Sequence, residues 1–219
     1  MGAMVVRADD KAVARICDLD WRNRSEHDMV AVAWAYYYFS VQFRESLEIC
    51  CAFYPDDQDL ARLKLEECDT SNLSPFPGVA LPGEKMNHDE FMRRLLELSP
   101  VSQHEREFFE TIGEAYLAEI RNIPEMSRAL SMGSYEDGGL ESVFKAMLRA
   151  PDYDNPLLEA FRFFLTSHIA FDSDQNAGHG SLSRHLVPDE NIVAIWDAFG
   201  SLLHKAVPAM APLVHEHEH

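Results

Sequence analysis

The chain has 219 residues, of which 47% are hydrophobic and 26% charged, with a formal net charge of -18. That length suits a single domain, 1–219, able to bury a core without staples. An acidic balance of this size argues against nucleic acid and anionic membrane as partners.

Cys17, Cys50, Cys51 and Cys68 form no CxxC pair, which suits reduced thiols better than a disulfide framework. There is no basic-then-apolar leader and no apolar run long enough for a bilayer, so the expected location is cytoplasmic. Residues 1–9 and 208–219 read as poorly ordered tails. Residues 10–21 read as a short helix and 26–54 as a long one, with Ser25 as N-cap and Glu26 and Asp28 favouring the positive helix end. From Trp34 to Phe39 the long helix is apolar on nearly every face, which places it at the centre of a bundle or along one wall of a substrate cavity. Pro55 stops it, and Asp56 or Asp57 caps a third helix reaching about Asp69.

Residues 70–86 hold three prolines and two glycines and read as a long loop, expected to cover one end of the bundle. Asn87 with Glu90, and Ser102 with Glu105, match the capping box that starts a helix; the second opens 103–122. Pro124 suits the first turn of a helix through about Asp137, Gly138-Gly139 interrupts it, and 140–149 resumes. Asn155-Pro156 opens a helix with Leu158, Phe161, Leu165 and His168 on one face. Pro188 opens the last, through about Lys205. With no hairpin punctuation and no repeat, the expected fold class is all-α, a single multi-helical bundle.

The late segment carries the chemistry. His168 and Asp172 are four residues apart, so a helix puts both on one face, with Cβ atoms roughly 5–6 Å apart. His179 returns to that face if the helix continues, while Asn176, Gly178 and Gly180 suggest a bulge or a break there. Glu136 sits between Met132 and Leu140, and Glu66 and Glu67 close the third helix. Carboxylates from two helices and a His/Asp face from a third form an oxygen- and nitrogen-rich cage suited to iron or manganese. Blander readings stand beside this one. Glu66 and Glu67 fit a solvated face, Glu136 an ion pair with Arg128 or Lys145, and His168 with Asp172 a buried polar pair. His185 and His204 read as ordinary satisfied or exposed histidines.

The stretch His168-x-x-x-Asp172 followed by His179-Gly180 resembles the last core helix of the heme-oxygenase-like dimetal oxidases. That family includes the chlamydial protein associating with death domains and the fatty-acid decarboxylating iron oxidases. Tyr135-Glu136 is similar to the family's middle ligand helix. Asn87-His88-Asp89-Glu90-Phe91 is similar to the helix start after its first ligand helix. The resemblance implies a heme-oxygenase-like bundle holding two iron ions, or manganese, on Glu67 (or Glu66), Glu136, His168, Asp172 and His179. It implies an oxidase or oxygenase acting on a small molecule with O2, and leaves a homodimer open. Two departures bear on it. The family places a His shortly after its first Glu, and Cys68 to Ser74 contain none. Its second late His follows the Asp sooner than His179 does. Either one metal site is incomplete or His88 substitutes from beyond the loop. Metal-free relatives, thiaminase-like or pyrroloquinoline-quinone-synthase-like, remain alternatives, as does a non-catalytic acidic partner protein.

Overall fold

Helix starts in this chain are written in short side-chain signals. In the computed structural model, which describes residues 8–172 and 178–210 (Ala8 and Asp172 by backbone alone), most of them act as written. Helix α1 spans Ala8–Cys17 and α2 spans Glu26–Phe53. At the start of α2 the Ser25 hydroxyl accepts the Asp28 amide at 3.1 Å, and the Asp28 carboxylate accepts the Ser25 amide at 3.0 Å. Helix α3, Gln58–Cys68, is capped by Asp57, whose carboxylate takes the amides of Asp59 and Leu60. Helices α4 (His88–Leu95), α5 (Gln103–Arg121), α6 (Glu125–Leu130) and α7 (Met132–Ser134) follow. An irregular turn, Tyr135–Gly139, leads into α8 (Leu140–Met147). Then come α9 (Pro156–Asp172), α10 (His179–Ser183) and α11 (Ile192–Ala206).

The result is an all-α bundle around α2, against which α3, α4, α5, α6, α9 and α11 pack. Among the described residues the only β pairing is two isolated bridges, Thr70 with Met86 and Phe76 with Ala80, both within the 70–86 loop. Tyr36 of α2 sits inside an aromatic shell, with Phe39, Phe144, Phe161 and Phe164 centred 5.6, 5.6, 5.7 and 5.6 Å away. Those rings come from α2, α8 and α9, so one side chain ties three helices together. The Trp34–Phe39 stretch, half-buried Tyr37 apart, is therefore core, and its Tyr36 is also a cavity wall. No helix among the described residues is long and apolar enough to cross a membrane.

Several expectations need correction. The first helix is Ala8–Cys17 rather than 10–21. Its Asp9 is buried and accepts a hydrogen bond from Ser134, so the ordered chain starts before residue 10. At the other end Pro208–Met210 forms a short 3-10 turn with Met210 buried; residues 1–7 and 211–219 lie outside the described residues. Asn87 makes no side-chain cap. Its intended partner Glu90 is taken instead by Arg93 at 2.7 Å and Arg94 at 2.8 Å, cations that outcompete a neutral amide. The last helix starts at Ile192, not at Pro188.

Candidate metal centre

Five elements deliver side chains to one point. The last turn of α3 presents Glu67, the first turn of α4 His88, the irregular turn Glu136, α9 His168 and the start of α10 His179. All five are buried. The irregular turn has a local cause: Asp137 leaves helical backbone angles and Gly138 takes φ +94, a conformation that only glycine adopts without strain. Gly180 is needed for contact rather than for its angles. A Cβ there would stand 2.7 Å from the Glu136 carbonyl oxygen, so a side chain would push α10 off the turn.

The protons can be assigned from fixed partners. His168 Nδ1 lies 2.8 Å from the Phe164 carbonyl, which only accepts, so Nδ1 carries the hydrogen and Nε2 is a lone pair. Burial, and then the facing His88, push the His168 pKa down to about 3, so the ring stays neutral. His88 Nε2 lies 3.0 Å from Asn72 Oδ1. The Asn72 amide cannot be reversed, because its Nδ2 already donates to the Glu66 carbonyl at 3.1 Å. His88 Nε2 is therefore a donor. A neutral His88 then turns the lone pair of Nδ1 toward Glu67 Oε2 at 2.6 Å and His168 Nε2 at 2.9 Å. Three acceptor atoms, all within 4.8 Å of one another, converge with no hydrogen between them. A cation has to sit there: either a proton that makes His88 an imidazolium, or a metal ion. The Glu67-His88-His168 group is thus one that can hold a metal ion.

The second oxygen of Glu67 faces a second set. Oε1 is buried without a well-formed hydrogen bond and lies 3.1 Å from His179 Nδ1, which is itself 3.6 Å from Glu136 Oε2. The far nitrogen of His179, Nε2, is 3.0 Å from Glu66 Oε2. Burial pushes the Glu67 carboxyl up, but the His88 and His179 imidazoles outweigh it and hold the carboxyl well below the usual range. One carboxylate thus stands between two groups of nitrogen and oxygen donors.

Beside the centre lies a small cavity of about 20 Å³, room for about one water-sized group. Glu67, His88, Glu136 and His168 line one part of it, and Tyr36, Phe43, Leu140, Phe144 and Phe164 another. Cys68 also lines it, but burial, with Glu67 next to it, pushes its thiol up to about 12, so it offers no thiolate at neutral pH.

Of the residues proposed from sequence, Glu67, Glu136, His168 and His179 come together. The side chain of Asp172 lies outside the described residues; its backbone ends α9 on the helix that carries His168. His179 is not on a continuation of α9: it starts α10, after Gly178 in extended conformation. The interruption expected at Gly138-Gly139 is the irregular turn under Glu136, and the break expected near His179 is the extended Gly178 ahead of α10. The ion pairs considered for Glu136 go elsewhere, Arg128 to Glu45 at 3.1 Å and Lys145 to Glu141. His88, considered only as a substitute, is in the first group. Asn72, the Phe164 carbonyl and the orienting role of Glu66 had no sequence signal. No family model, curated protein or solved structure matches the chain.

Proposed function

We propose that the chain is a non-heme dimetal oxidase or oxygenase of the heme-oxygenase-like kind, using iron and O2 on a small organic substrate. The observation that carries this reading is the position of Glu67. Its Oε2 faces His88 Nδ1, which lies against His168 Nε2, and its Oε1 faces His179 Nδ1, which also lies near Glu136. A single buried carboxylate serving two donor sets is what two adjacent cations require of a bridging ligand. The donors are carboxylate and imidazole without thiolate, a set suited to iron or manganese. Glu67, His88 and His168 would hold one ion; Glu67, Glu136 and His179 the other. Bound iron would supply the O2 and electron chemistry.

The protein's own part is preparation. The Phe164 carbonyl fixes the His168 tautomer, Asn72 fixes that of His88, and Glu66 takes the outer nitrogen of His179. Tyr36, Phe144 and Phe164 wall the small space beside the ligands with aromatic surface.

Metal-free protein titrated anaerobically with iron(II), followed by elemental analysis, tests the reading. Two ions per chain are expected, and His168→Ala should lower iron stoichiometry and O2 consumption together. Wild-type protein that retains neither iron nor manganese would leave the cluster holding a proton instead. The second reading, a metal-free enzyme using His88 and Glu67 as an acid/base pair, would then take its place.

A further inference from the structure

The sequence holds three tryptophans, and all are buried: Trp21 is 1% exposed, Trp34 4% and Trp196 0%. Their indole N–H groups end differently. Trp21 Nε1 donates at 2.9 Å to the Ile16 carbonyl, which accepts a hydrogen bond but takes no proton. Trp34 Nε1 has no hydrogen-bond partner, and the Arg106 guanidinium stands 5.5 Å from the centre of its ring. Trp196 Nε1 of α11 donates to Ser134 Oγ at 2.9 Å, and that hydroxyl donates in turn to the buried carboxylate of Asp9 on α1. A donor-only indole, a hydroxyl that both accepts and donates, and an accepting carboxylate form a chain along which a proton can move outward. Ser134 and Asp9 also line an open groove of about 630 Å³ between α1 and α8, so a proton on Asp9 has solvent beside it.

Trp196 also touches the turn that carries Glu136. Its ring meets that of Tyr135, centred 5.2 Å away and nearly perpendicular, and a Cβ on Gly139 would stand 3.0 Å from Trp196 Cζ2. Tyr135 precedes Glu136 in the chain and packs at 5.8 Å on Phe43, a wall of the ligand cavity. Rings in contact therefore run from Trp196 to that cavity. Tyr135 is no resting place on this path, since its hydroxyl donates at 3.1 Å to the Gln42 side-chain carbonyl, an amide that takes no proton. An indole that loses an electron becomes a cation and a far stronger acid at Nε1. Kept in a dry interior, that charge is costly. Trp21 and Trp34 would have to keep it, whereas Trp196 can shed it as a proton.

We propose that Trp196 is a proton-coupled electron donor to the centre. One electron leaves the indole by way of Tyr135 and Phe43 for iron that O2 has oxidised. The Nε1–H proton passes to Ser134 Oγ as the Ser134 proton passes to Asp9, leaving a neutral indole radical and a neutral carboxyl. A one-electron reductant from outside restores the indole, and Asp9 returns the proton. The acceptor rests on the oxidase reading above; the donor does not. The test oxidises the metal-free full chain with azide radical made by pulse radiolysis, a one-electron oxidant that prefers indoles, and follows the absorption of the product. The neutral indole radical is expected in wild-type protein, its loss in Trp196→Phe, and its retention when Trp21 and Trp34 are both replaced by Phe. Asp9→Asn still accepts the Ser134 hydrogen bond but takes no proton, so there the product should stay the cation. A neutral radical that survives Trp196→Phe, or that forms equally in Asp9→Asn, would overturn the proposal. If Trp196→Phe does not fold, the protein lacking Trp21 and Trp34 decides: with Trp196 its one indole, it gives the neutral radical or the proposal fails. Iron-loaded protein is then mixed with O2 and frozen for electron paramagnetic resonance. An indole signal should appear in wild type and vanish in Trp196→Phe at unchanged iron stoichiometry. Failure to bind iron would remove the oxidase reading and leave the donor. Iron bound and O2 consumed without an indole signal would do the reverse.

Discussion

Burial and the facing His88 ring keep His168 neutral down to about pH 3, whereas a histidine in the unfolded chain titrates near about 6.5. Between those values the unfolded chain binds a proton that the folded one refuses, so stability falls as pH drops through that window. The carboxylates add to this only below about 4.3, where unfolded Glu begins to titrate. Metal-free wild-type protein should therefore have a lower urea midpoint at about pH 5 than at about pH 7, and His168→Gln should flatten that slope. An unchanged slope in the variant would mean that His168 does not carry the effect. Asn72 acts one step further out. Replacing it with Ala frees the His88 tautomer and should weaken metal binding by roughly 10–100-fold with the helices intact, read by titration against a chelator. These residues differ in how far the sequence exposes them. Glu136 and His168 stand out because a charged or ionisable group interrupts an apolar helical face. His88 lies far along the chain from Glu67, and only the loop closed by the Thr70–Met86 bridge returns it. No spacing rule sees a loop closure, nor a partner such as Asn72 that acts through one amide.

At the scale of elements, local signals predicted well where chemistry is local. Ser25, Asp57 and Ser102 cap as their side chains dictate, since a hydroxyl or carboxylate two or three residues from free amides has no better partner. The Asn87 box failed because Arg93 and Arg94 offered Glu90 charge as well as hydrogen bonds. Those arginines hold the Glu90 carboxyl down at about 2, but it is largely exposed, so the loss of this pairing in acid contributes little to stability. The break before α10 was foreshadowed by its glycines, but not its consequence: a five-residue helix whose close approach to the Glu136 turn depends on a glycine. Gly180→Ala tests that approach. Its Cβ would meet a backbone oxygen at 2.7 Å, which cannot rotate away as a side chain does. The helix must move, and His179 moves with it away from Glu67 and Glu136. If two ions bind as proposed, the variant should fold, keep the one on Glu67, His88 and His168, and lose the other. Two ions retained at wild-type affinity would show that α10 tolerates the shift.

For the whole molecule, the dominant physical fact is 37 acidic against 19 basic residues. The basic side chains are spent in exposed pairs such as Arg62–Glu66, Arg93–Glu90 and Arg121–Glu45. Each of these contributes only about 0–1 kcal/mol. The surplus of negative charge repels itself across the surface, and that repulsion is relieved by any salt. Raising potassium chloride should therefore raise the melting temperature gradually and without saturation. A genuine metal centre has a different signature. An ion that binds the folded state alone stabilises it by about 2.7 kcal/mol once its free concentration is a hundredfold above Kd, and the effect grows only logarithmically thereafter. Manganese(II) is the useful probe, being slow to react with O2, and magnesium is its control. Both screen surface charge equally, but buried imidazoles favour manganese over magnesium. At equal concentration manganese should raise the melting temperature more, steeply up to stoichiometric amounts and only logarithmically beyond them. Glu67→Ala should abolish that excess, because both donor sets lose their shared oxygen ligand, while the response to potassium chloride stays. If manganese and magnesium act alike at every concentration in wild-type protein, divalent ions merely screen this acidic surface, and the cluster around Glu67 holds a proton.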